Sequence, residues 1–342
     1  MGNKITEKYF IQANFADQAQ RVLAEIKART NFQPEKEIFR GQIYDPDKVG
    51  SLIYKGVWRK LPAVLKIQGL KPEIDEIDMI SRFNEQNDSK KIRLPKLYKG
   101  SKWNELDGYG YLLLEYIDAP KIYQPPLADQ EQKEDFCRFY QEYKTKCLRQ
   151  PLFARQPHEK NSLVFVNQRV LHWQKIAEAK EQLTEVNKKR VEKFLNIAGR
   201  HLPSIKMEFM HGHLTYNDLY KISDNEYVLM SNLFWSYRPE FYDSTFHLWA
   251  GLNSLHNKNI KLEQIIEYLQ NWFGQYKKIP VIKQANDFNG KFNLMMAERC
   301  LGALLIDIKN KHQQKGQNNL VNYLSRLFAD LFEYFTDKLE NQ

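Results

Sequence analysis

The strongest constraint on the fold of this chain is a change of pattern at Ala119-Pro120. Before this point the sequence consists mainly of short segments rich in β-branched and aromatic residues and separated by turn residues, a pattern typical of antiparallel strands. Two segments with helical periodicity accompany them, at 14–30 and 72–85. The predicted strands are 37–44, 51–58, 63–67, 94–100 and 109–117.

After Ala119-Pro120 the apolar residues recur with a helical period over much longer segments. One strand-rich segment, 209–235, interrupts this helical region, and SDNE within it predicts a turn between two short apolar runs. We therefore predict that 209–235 forms a β-hairpin. The predicted helices are 129–149, 162–198, 261–277, 288–312 and 317–339.

Together the two patterns predict an α+β fold with two lobes. Residues 1–35 are predicted to form an N-terminal helical extension. Residues 36–117 are predicted to form a small lobe, an antiparallel sheet with one helix, that ends in an apolar hinge strand. Residues 118–342 are predicted to form a larger, mostly helical lobe that carries the hairpin. A length of 342 residues agrees with two lobes, because a single core rarely grows to that size.

Composition excludes several classes of protein. With 42% hydrophobic and 13% aromatic residues the chain is not of the disordered class. It has no run of about 18 uncharged apolar residues, and MGNKITEKYF lacks the apolar core of a signal peptide, so we expect a cytoplasmic protein without a membrane span. The three cysteines form neither a disulfide framework nor a Cys-x-x-Cys metal pair.

The formal net charge is +9, from 51 Lys and Arg residues against 42 Asp and Glu residues. The basic residues are spread along the chain rather than gathered in one block, which favours a solvated basic surface over a nucleic-acid site. A basic protein that binds RNA or another polyanion stays open as an alternative.

Lys66 is the first candidate functional residue, because it ends the apolar strand AVLKI and a buried ammonium needs a partner or a ligand. The segment EIDMISRF places Glu76 on the same helical face as apolar residues, so the carboxylate turns toward the interior of the small lobe. We predict an ion pair between Lys66 and Glu76, with Glu73 as the second choice. The alternative is a lysine that extends into solvent.

The most specific motif is MHGHLTYNDLYKI at 210–222. It resembles the catalytic loop of the aminoglycoside phosphotransferase and choline-kinase-like family, whose pattern is H-G-D-x-x-x-x-N. His211 and Gly212 match this pattern, but His213 stands where the family has its catalytic Asp, and Asp218 stands where it has a metal-binding Asn. The resemblance implies that His211 braces the loop.

Two further positions extend the resemblance, which covers about residues 36–312. Ser231 in VLMSN stands where the family has a metal-binding Asp, and Asp243 stands where it has an Asp that braces the catalytic loop. We predict that His213, Asp218, Ser231 and Asp243 converge in one cleft beneath the hinge strand.

The resemblance implies a bilobal protein-kinase-like fold that transfers a phosphoryl group to a small-molecule hydroxyl and uses ATP or another nucleotide with Mg²⁺. Lys66 and Glu76 would then lie at the nucleotide's phosphates. The backbone of Glu115, Tyr116 and Ile117, in YLLLEYI, would contact the adenine edge.

The departures from the family pattern predict impaired catalysis. Ser231 lacks the charge of the oxygen ligands that Mg²⁺ prefers, and a protonated imidazole at His213 would repel the ion. Asp45 and Asp47, in the turn that would cover the phosphates, would repel ATP. The preferred interpretation is a pseudokinase that acts as a binding or scaffolding module for a small molecule, a nucleotide or a protein partner.

Two alternatives concern the same residues. In the first, the protein is an active small-molecule phosphotransferase in which the roles of Asp218, His213 or Asp243 have changed. In the second, His211 and His213 form a metal pair, because His-x-His on a strand places both rings on one side. The aromatic residues near 234–242 form either a platform for a cationic substrate or part of the core, and the core is the preferred interpretation.

Overall fold

A computed structural model describes residues 10–11, 15–42, 48–69, 71–72, 74–124, 128–147, 159–255, 260–312 and 316–341. Contacts within the chain divide it into two compact units. Unit 1 comprises residues 1–86, 93–119 and 228–233, and unit 2 comprises residues 87–92, 120–227 and 234–342. Asp45, Asp47 and Glu73, all named in the sequence predictions, lie outside the described residues.

Unit 1 is built on an antiparallel sheet, as the pattern before Ala119-Pro120 predicts. The strand order is β1-β3-β4-β7-β6, and β2 pairs with β3 at one side of this path. The strands up to the hinge are β1 (Phe10–Ile11), β2 (Gln33–Gln42), β3 (Lys48–Trp58), β4 (Leu61–Gln68), β5 (Ile92–Arg93), β6 (Leu97–Ser101) and β7 (Gly110–Glu115).

Helix α1 (Phe15–Thr30) packs against this sheet, although the sequence predicts it within an N-terminal extension. Its buried residues Val22 and Ile26 form one apolar cluster with Leu52 of β3 and Leu65 of β4. Each of these side chains contributes on the order of 1.5–3 kcal/mol when fully buried. The helix therefore completes the apolar core on this side of the sheet.

Helix α2 (Glu76–Gln86) presents the predicted face to the interior: Glu76, Met79, Ile80 and Phe83 are buried. It begins at Glu76 rather than at 72, because Asp75 acts as its cap and accepts a hydrogen bond of 2.9 Å from the Ile77 N–H. This start places the Glu76 carboxylate in the first turn of the helix.

Unit 2 is mostly helical. The predicted helix at 162–198 is wrong in one respect, because the chain forms two helices there: Glu181 takes a positive φ of 55°, and the Thr184 side chain caps the second helix. The helices of this unit are α3 (Gln130–Lys146), α4 (Ser162–Ala179), α5 (Glu185–His201), α6 (Tyr242–Leu252), α7 (Leu262–Tyr276), α8 (Pro280–Lys283), α9 (Phe288–Gly302), α10 (Ile308–His312) and α11 (Asn318–Glu340).

The segment 209–235 is not one hairpin, which corrects the prediction. Strand β8 (Met207–His211) pairs with β11 (Trp235–Pro239), so that His211 lies opposite Trp235. The SDNE turn instead joins β9 (Leu219–Ser223) to β10 (Glu226–Leu229), within a sheet of order β5-β10-β9. The predicted SDNE turn is correct. Strand β8, however, pairs with β11, and β11 lies almost entirely after residue 235, where the sequence pattern predicts no strand.

Helix α6 is buried along its whole length. A helix without a solvent-exposed face need not show an amphipathic period, and for this reason the sequence pattern does not reveal it. No described helix combines the length and the hydropathy that crossing a membrane requires.

Candidate active site

The first part of the candidate site is the ion pair between Lys66 and Glu76 in unit 1. Lys66 lies in β4 opposite Leu112 of β7, and its Nζ is 2.5 Å from Oε2 of Glu76. Gln68 Nε2 donates to the same oxygen at 3.3 Å. The predicted ion pair is present within unit 1, and its role in holding a nucleotide stays a prediction.

Burial makes this pair sensitive to substitution. Only 3% of the Glu76 side chain and 15% of the Lys66 side chain are exposed. Removing one partner would leave a buried charge without compensation, whereas the pair itself is close to neutral for stability. The pair therefore fixes the position of the Lys66 ammonium more than it stabilises unit 1.

The predicted adenine-binding strand ends at Glu115, whose side chain is engaged within unit 1. Arg93 contacts both carboxylate oxygens, at 2.6 and 3.1 Å, and the Lys96 N–H donates to one of them at 3.1 Å. Burial opposes ionisation of this carboxyl group, but these hydrogen bonds hold the pKa of Glu115 below its usual value. The Glu115 side chain thus has a structural partner, and only its backbone is left for the predicted role.

The backbone N–H groups of the hinge differ in their engagement. The Glu115 N–H donates to the Lys96 carbonyl at 2.9 Å, and the Tyr116 N–H donates to the Pro62 carbonyl at 3.4 Å. Among the described residues, none accepts a hydrogen bond from the Ile117 N–H. Of the three predicted residues, Ile117 is therefore the one with a donor left for an adenine edge.

The second part of the site is the loop after β8 in unit 2. Thr215 caps a short 3-10 turn, Tyr216–Asp218, and its hydroxyl accepts from the Asn217 N–H at 3.2 Å. Asp218 Oδ2 accepts from both the N–H and the hydroxyl of Thr215, at 3.2 and 2.5 Å. The turn holds the buried Asp218 carboxylate in a fixed position.

His213 joins this carboxylate. Its Nδ1 lies 3.0 Å from Asp218 Oδ2, and its ring stacks on Phe234 with centroids 4.4 Å apart. The ring of Phe246 lies 5.1 Å away on α6. If Nδ1 of His213 carries the proton and donates it to Asp218, Nε2 is an acceptor. The His213 side chain is 38% exposed. The structure thus brings together two of the predicted site residues as a His–Asp pair.

Lys121 is a further charged group at this loop that the sequence motifs do not reveal. Its Nζ donates to the Asn217 carbonyl at 2.5 Å and lies 3.5 Å from the centroid of the Tyr220 ring. Burial lowers the pKa of Lys121 to about 8, although the charge of Asp218 opposes this shift. An ammonium in the electrostatic field of Asp218 reduces the attraction of that carboxylate for a metal ion.

Asp243 lies on α6 and differs from its predicted contacts. Its Oδ1 accepts a hydrogen bond of 2.7 Å from the Tyr140 hydroxyl, and among the described residues no donor reaches its buried Oδ2. Asp243 was predicted to brace the 211–213 loop, but the His211 N–H at the start of this loop donates to the Tyr143 hydroxyl at 2.8 Å. Tyr143 of α3 therefore holds the start of the loop, and Tyr140 of the same helix engages Asp243.

Ser231 belongs to unit 1, whereas His213, Asp218 and Asp243 belong to unit 2. Its φ is 59°, in the left-handed region that few residues other than glycine adopt, and such strain is common at functional positions. The convergence of all four residues in one cleft stays a prediction.

The predicted metal pair of His211 and His213 lacks further ligands in the part of the chain that the structure describes. No group of three or more His, Cys, Asp or Glu side chains is placed there to hold a metal ion. The His211 ring is buried against Trp235, with centroids 5.3 Å apart. Most of the neighbouring aromatic residues are also core residues, but Phe234 is 44% exposed.

Solved structures with similar folds cover nearly the whole chain. The aminoglycoside phosphotransferase APH(4)-Ia, as a thermostable mutant with AMP-PNP and hygromycin B, matches with a TM-score of 0.60 and 7% identity over 91% of this chain and 97% of its own. The chain has the fold of these kinases. No protein-family model and no curated sequence matches it.

Two further structures support the same fold. A putative aminoglycoside phosphotransferase from Ralstonia eutropha matches with a TM-score of 0.59 and 10% identity over 94% of this chain and 98% of its own. An amicoumacin kinase in complex with AMP-PNP, Ca²⁺ and Ami matches with a TM-score of 0.53 and 15% identity over 99% of this chain and 96% of its own. At these identities the likeness shows the bilobal kinase-like fold.

Proposed function

We propose that this protein binds a nucleotide in unit 1 and a small hydroxyl compound in unit 2, and that its phosphoryl transfer is impaired, so that it acts as a binding or scaffolding module. One observation carries the proposal: the Asp218 oxygen nearest His213 is already engaged by His213 and Thr215.

The nucleotide part of the proposal rests on Lys66 and Ile117. Glu76 holds the Lys66 ammonium in a fixed position, where it could contact phosphate oxygens. Among the residues that the structure describes, none accepts from the Ile117 N–H, which leaves this donor for a base. Structures with the same fold contain AMP-PNP. The residues of unit 1 therefore fit a nucleotide.

The residues fit Mg²⁺ poorly. Mg²⁺ is normally held by carboxylate oxygens, and it would supply charge neutralisation at the phosphates. Here Asp218 shares its oxygen with three protein donors, Lys121 adds a positive charge near it, and Ser231 is neutral. Because phosphoryl transfer depends mainly on such electrostatic stabilisation, we expect turnover far below about 1 per second, the lower end of the kinase range.

A second candidate function is favoured by the His213–Asp218 pair. A carboxylate that accepts from Nδ1 leaves Nε2 to take a proton from an acceptor hydroxyl, as a general base does. In this reading the protein is an active phosphotransferase acting on a small-molecule hydroxyl, with His213 as its base. A positioned base contributes on the order of 10²–10⁴-fold in rate, so the two candidates differ in measurable turnover.

The experiment that tests the proposal separates binding from turnover. We expect AMP-PNP to raise the melting temperature of the wild-type protein, with little further effect of Mg²⁺, and Lys66→Met to abolish the rise. Lys36→Met, at an exposed lysine of the same sheet, is the matched control and should respond like the wild type. No response of the wild type to AMP-PNP would overturn the nucleotide part, and ATP turnover in the ordinary kinase range would favour the second candidate.

A further inference from the structure

Three arginines from three different elements of unit 2 surround Tyr242. Arg169 of α4 and Arg238 of β11 place Cζ 4.8 and 5.8 Å from the centre of the Tyr242 ring. Arg299 of α9 donates from Nη1 to the Tyr242 hydroxyl at 3.1 Å. Three guanidinium groups repel one another, so an arrangement of this kind needs compensating negative charge.

Two of the arginines have a carboxylate partner. Arg169 Nη2 lies 2.5 Å from Oε1 of the fully buried Glu298, and Arg299 Nη2 lies 3.3 Å from Oδ2 of Asp307. Burial raises the pKa of Asp307 to about 6, which leaves the carboxylate ionised at neutral pH. The two acids therefore balance two of the three cations.

Arg238 is the uncompensated cation. Among the described residues no carboxylate lies within ion-pair distance of it, and its Nη1 donates to the carbonyl of the neighbouring Tyr237 at 3.1 Å. Burial lowers the pKa of Arg238 to about 10, so the guanidinium keeps its charge at neutral pH despite poor solvation. One positive charge in this cluster thus has no counterion.

The cluster also has unused donors. Nε of Arg169, Arg238 and Arg299 is in each case buried and has no hydrogen-bond partner among the described residues. Among the same residues, both oxygens of Glu298 are likewise without a hydrogen bond, so acceptors are present beside Arg169 but none reaches Nε of Arg238. A buried donor without an acceptor is unfavourable, and more so when the group is charged. A guanidinium presents its donors as a planar fork that matches the two oxygens of a carboxylate or phosphate, so an anion at Arg238 would supply the missing charge and an acceptor there.

The position of the cluster connects it to the candidate loop. A Cβ placed on Gly212 would lie 3.0 Å from Arg238 Nε, so this arginine packs directly against the backbone of the residue between His211 and His213. On the other side the His213 ring contacts Phe246, and the Phe246 ring lies 5.2 Å from Arg299 Cζ. Arg238 therefore contacts the residue next to His213, whose imidazole is proposed to face the acceptor.

Packing on aromatic rings explains part of the cluster but not all of it. Arg169 stacks near Phe165 and Arg299 near Trp249, with Cζ-to-centroid distances of 4.6 and 4.2 Å, and both also have a carboxylate. Arg238 lies 5.0 Å from Phe165, yet an aromatic face supplies neither a full negative charge nor an acceptor for Nε. A purely structural role leaves Arg238 unexplained.

We infer that Arg238, supported by Arg169, binds an anionic group of the acceptor compound, so that the small molecule taken by unit 2 is a hydroxyl compound bearing a carboxylate or a phosphate. This inference rests on the proposed function and names the class of compound for the same site. It differs from a cationic acceptor such as hygromycin B, which is bound in one of the structures of the same fold.

The test uses the full-length protein and melting temperature as the readout, with NaCl adjusted to keep ionic strength constant. The probes are inorganic phosphate, glycerol 3-phosphate, gluconate and hygromycin B. We expect a concentration-dependent rise with glycerol 3-phosphate or with gluconate, and their comparison distinguishes a phosphate-bearing from a carboxylate-bearing acceptor. Arg238→Gln should weaken the apparent affinity at least tenfold, and Arg238→Lys should retain part of it.

Two controls keep the result specific. Arg200→Gln, at an exposed arginine of α5, removes the same charge from the surface of unit 2 and should leave the response unchanged. Lys66→Met removes the proposed phosphate-binding lysine of unit 1, so an anion response that persists in Lys66→Met and disappears in Arg238→Gln places the anion at the arginine cluster. Thermal unfolding without ligand shows whether each variant folds.

The opposite results would overturn the inference without touching the proposed function. An anion response that is lost in Lys66→Met but kept in Arg238→Gln, a response to hygromycin B alone, or no response to any anion would each show that the cluster is not an acceptor site. The AMP-PNP response of the same wild-type protein tests the proposed nucleotide binding independently. If Arg238→Gln fails to fold, the anion response of Arg238→Lys, in which Arg169 is unchanged, is compared with that of the wild type instead.

Discussion

His213 Nδ1 and Asp218 Oδ2 lie 3.0 Å apart, although the chain resembles a family in which these two positions hold a catalytic Asp and a metal-binding Asn. The contact engages one of the two Asp218 carboxylate oxygens with the imidazole. It also orients the imidazole, so the same contact underlies both candidate functions. Turnover measurements, not binding, decide between them.

Restoring the family's carboxylates should change the chemistry. We expect Ser231→Asp combined with His213→Asp to raise ATP turnover and its dependence on Mg²⁺, because two additional carboxylates supply the ligand charge that Mg²⁺ requires. ATP hydrolysis at several Mg²⁺ concentrations is the measurement. If His213 is instead the base of an active enzyme, His213→Asp alone lowers the wild-type rate, and the impaired-kinase proposal fails.

The burial of the Lys66–Glu76 pair predicts that removing one of its partners costs more stability than removing one partner of an exposed ion pair. Lys66→Met should lower the free energy of unfolding by about 3–5 kcal/mol, because it leaves the Glu76 carboxylate buried without a counterion. The control is Arg82→Met in the same helix, whose partner Glu85 is 59% exposed, and it should cost no more than about 1 kcal/mol. Urea unfolding of both variants measures the difference, and equal losses would contradict it.

Lys121 predicts a pH dependence of stability. Its pKa is lowered to about 8 in the folded protein, whereas the unfolded chain keeps a value near 10.5, so between these values the unfolded state binds more protons. The contribution of Lys121 to stability should therefore rise with pH from about 8 to about 10.5. Below pH 8 the cost of burying the charged ammonium is fully present.

Unfolding free energies of Lys121→Leu and the wild type from pH 7 to pH 10 test this sign. The unfolding free energy of Lys121→Leu should lack the rise with pH that Lys121 causes in the wild type. The stability gained by the variant over the wild type should therefore be largest at pH 7. Lys175→Leu, at an exposed lysine of α4, should follow the wild type at every pH. A Lys121→Leu profile parallel to that of the wild type would contradict the prediction.

The contact between Tyr140 and Asp243 predicts a strong coupling. Tyr140→Phe leaves both oxygens of the buried Asp243 carboxylate without a donor among the described residues, and we expect a loss of about 1–3 kcal/mol. A double-mutant cycle with Asp243→Leu measures the coupling. The two losses should not add, since Tyr140→Phe costs little once the carboxylate is gone, and additive losses would refute the contact.

The sequence by itself determined the features that local patterns encode. Alternating and helical periods are set by which residues face an interior, so they predict the sheet of unit 1, most helices of unit 2 and the SDNE turn. The Lys66–Glu76 pair was accessible for the same reason, because the two residues lie ten positions apart on neighbouring elements and both face the apolar interior.

Tertiary structure alone decided the features that show no local hydrophobic period or that join residues far apart in sequence. Helix α6 is buried on every side and shows no amphipathic signal, and the two helices at 162–198 are separated by a turn whose Glu181 adopts a left-handed backbone. Tyr140 and Asp243 are 103 residues apart, and their hydrogen bond exists only because α3 and α6 pack together. The arginine cluster depends in the same way on α4, β11 and α9. Its charges lie far apart in sequence, and only packing brings them close enough to require an anion.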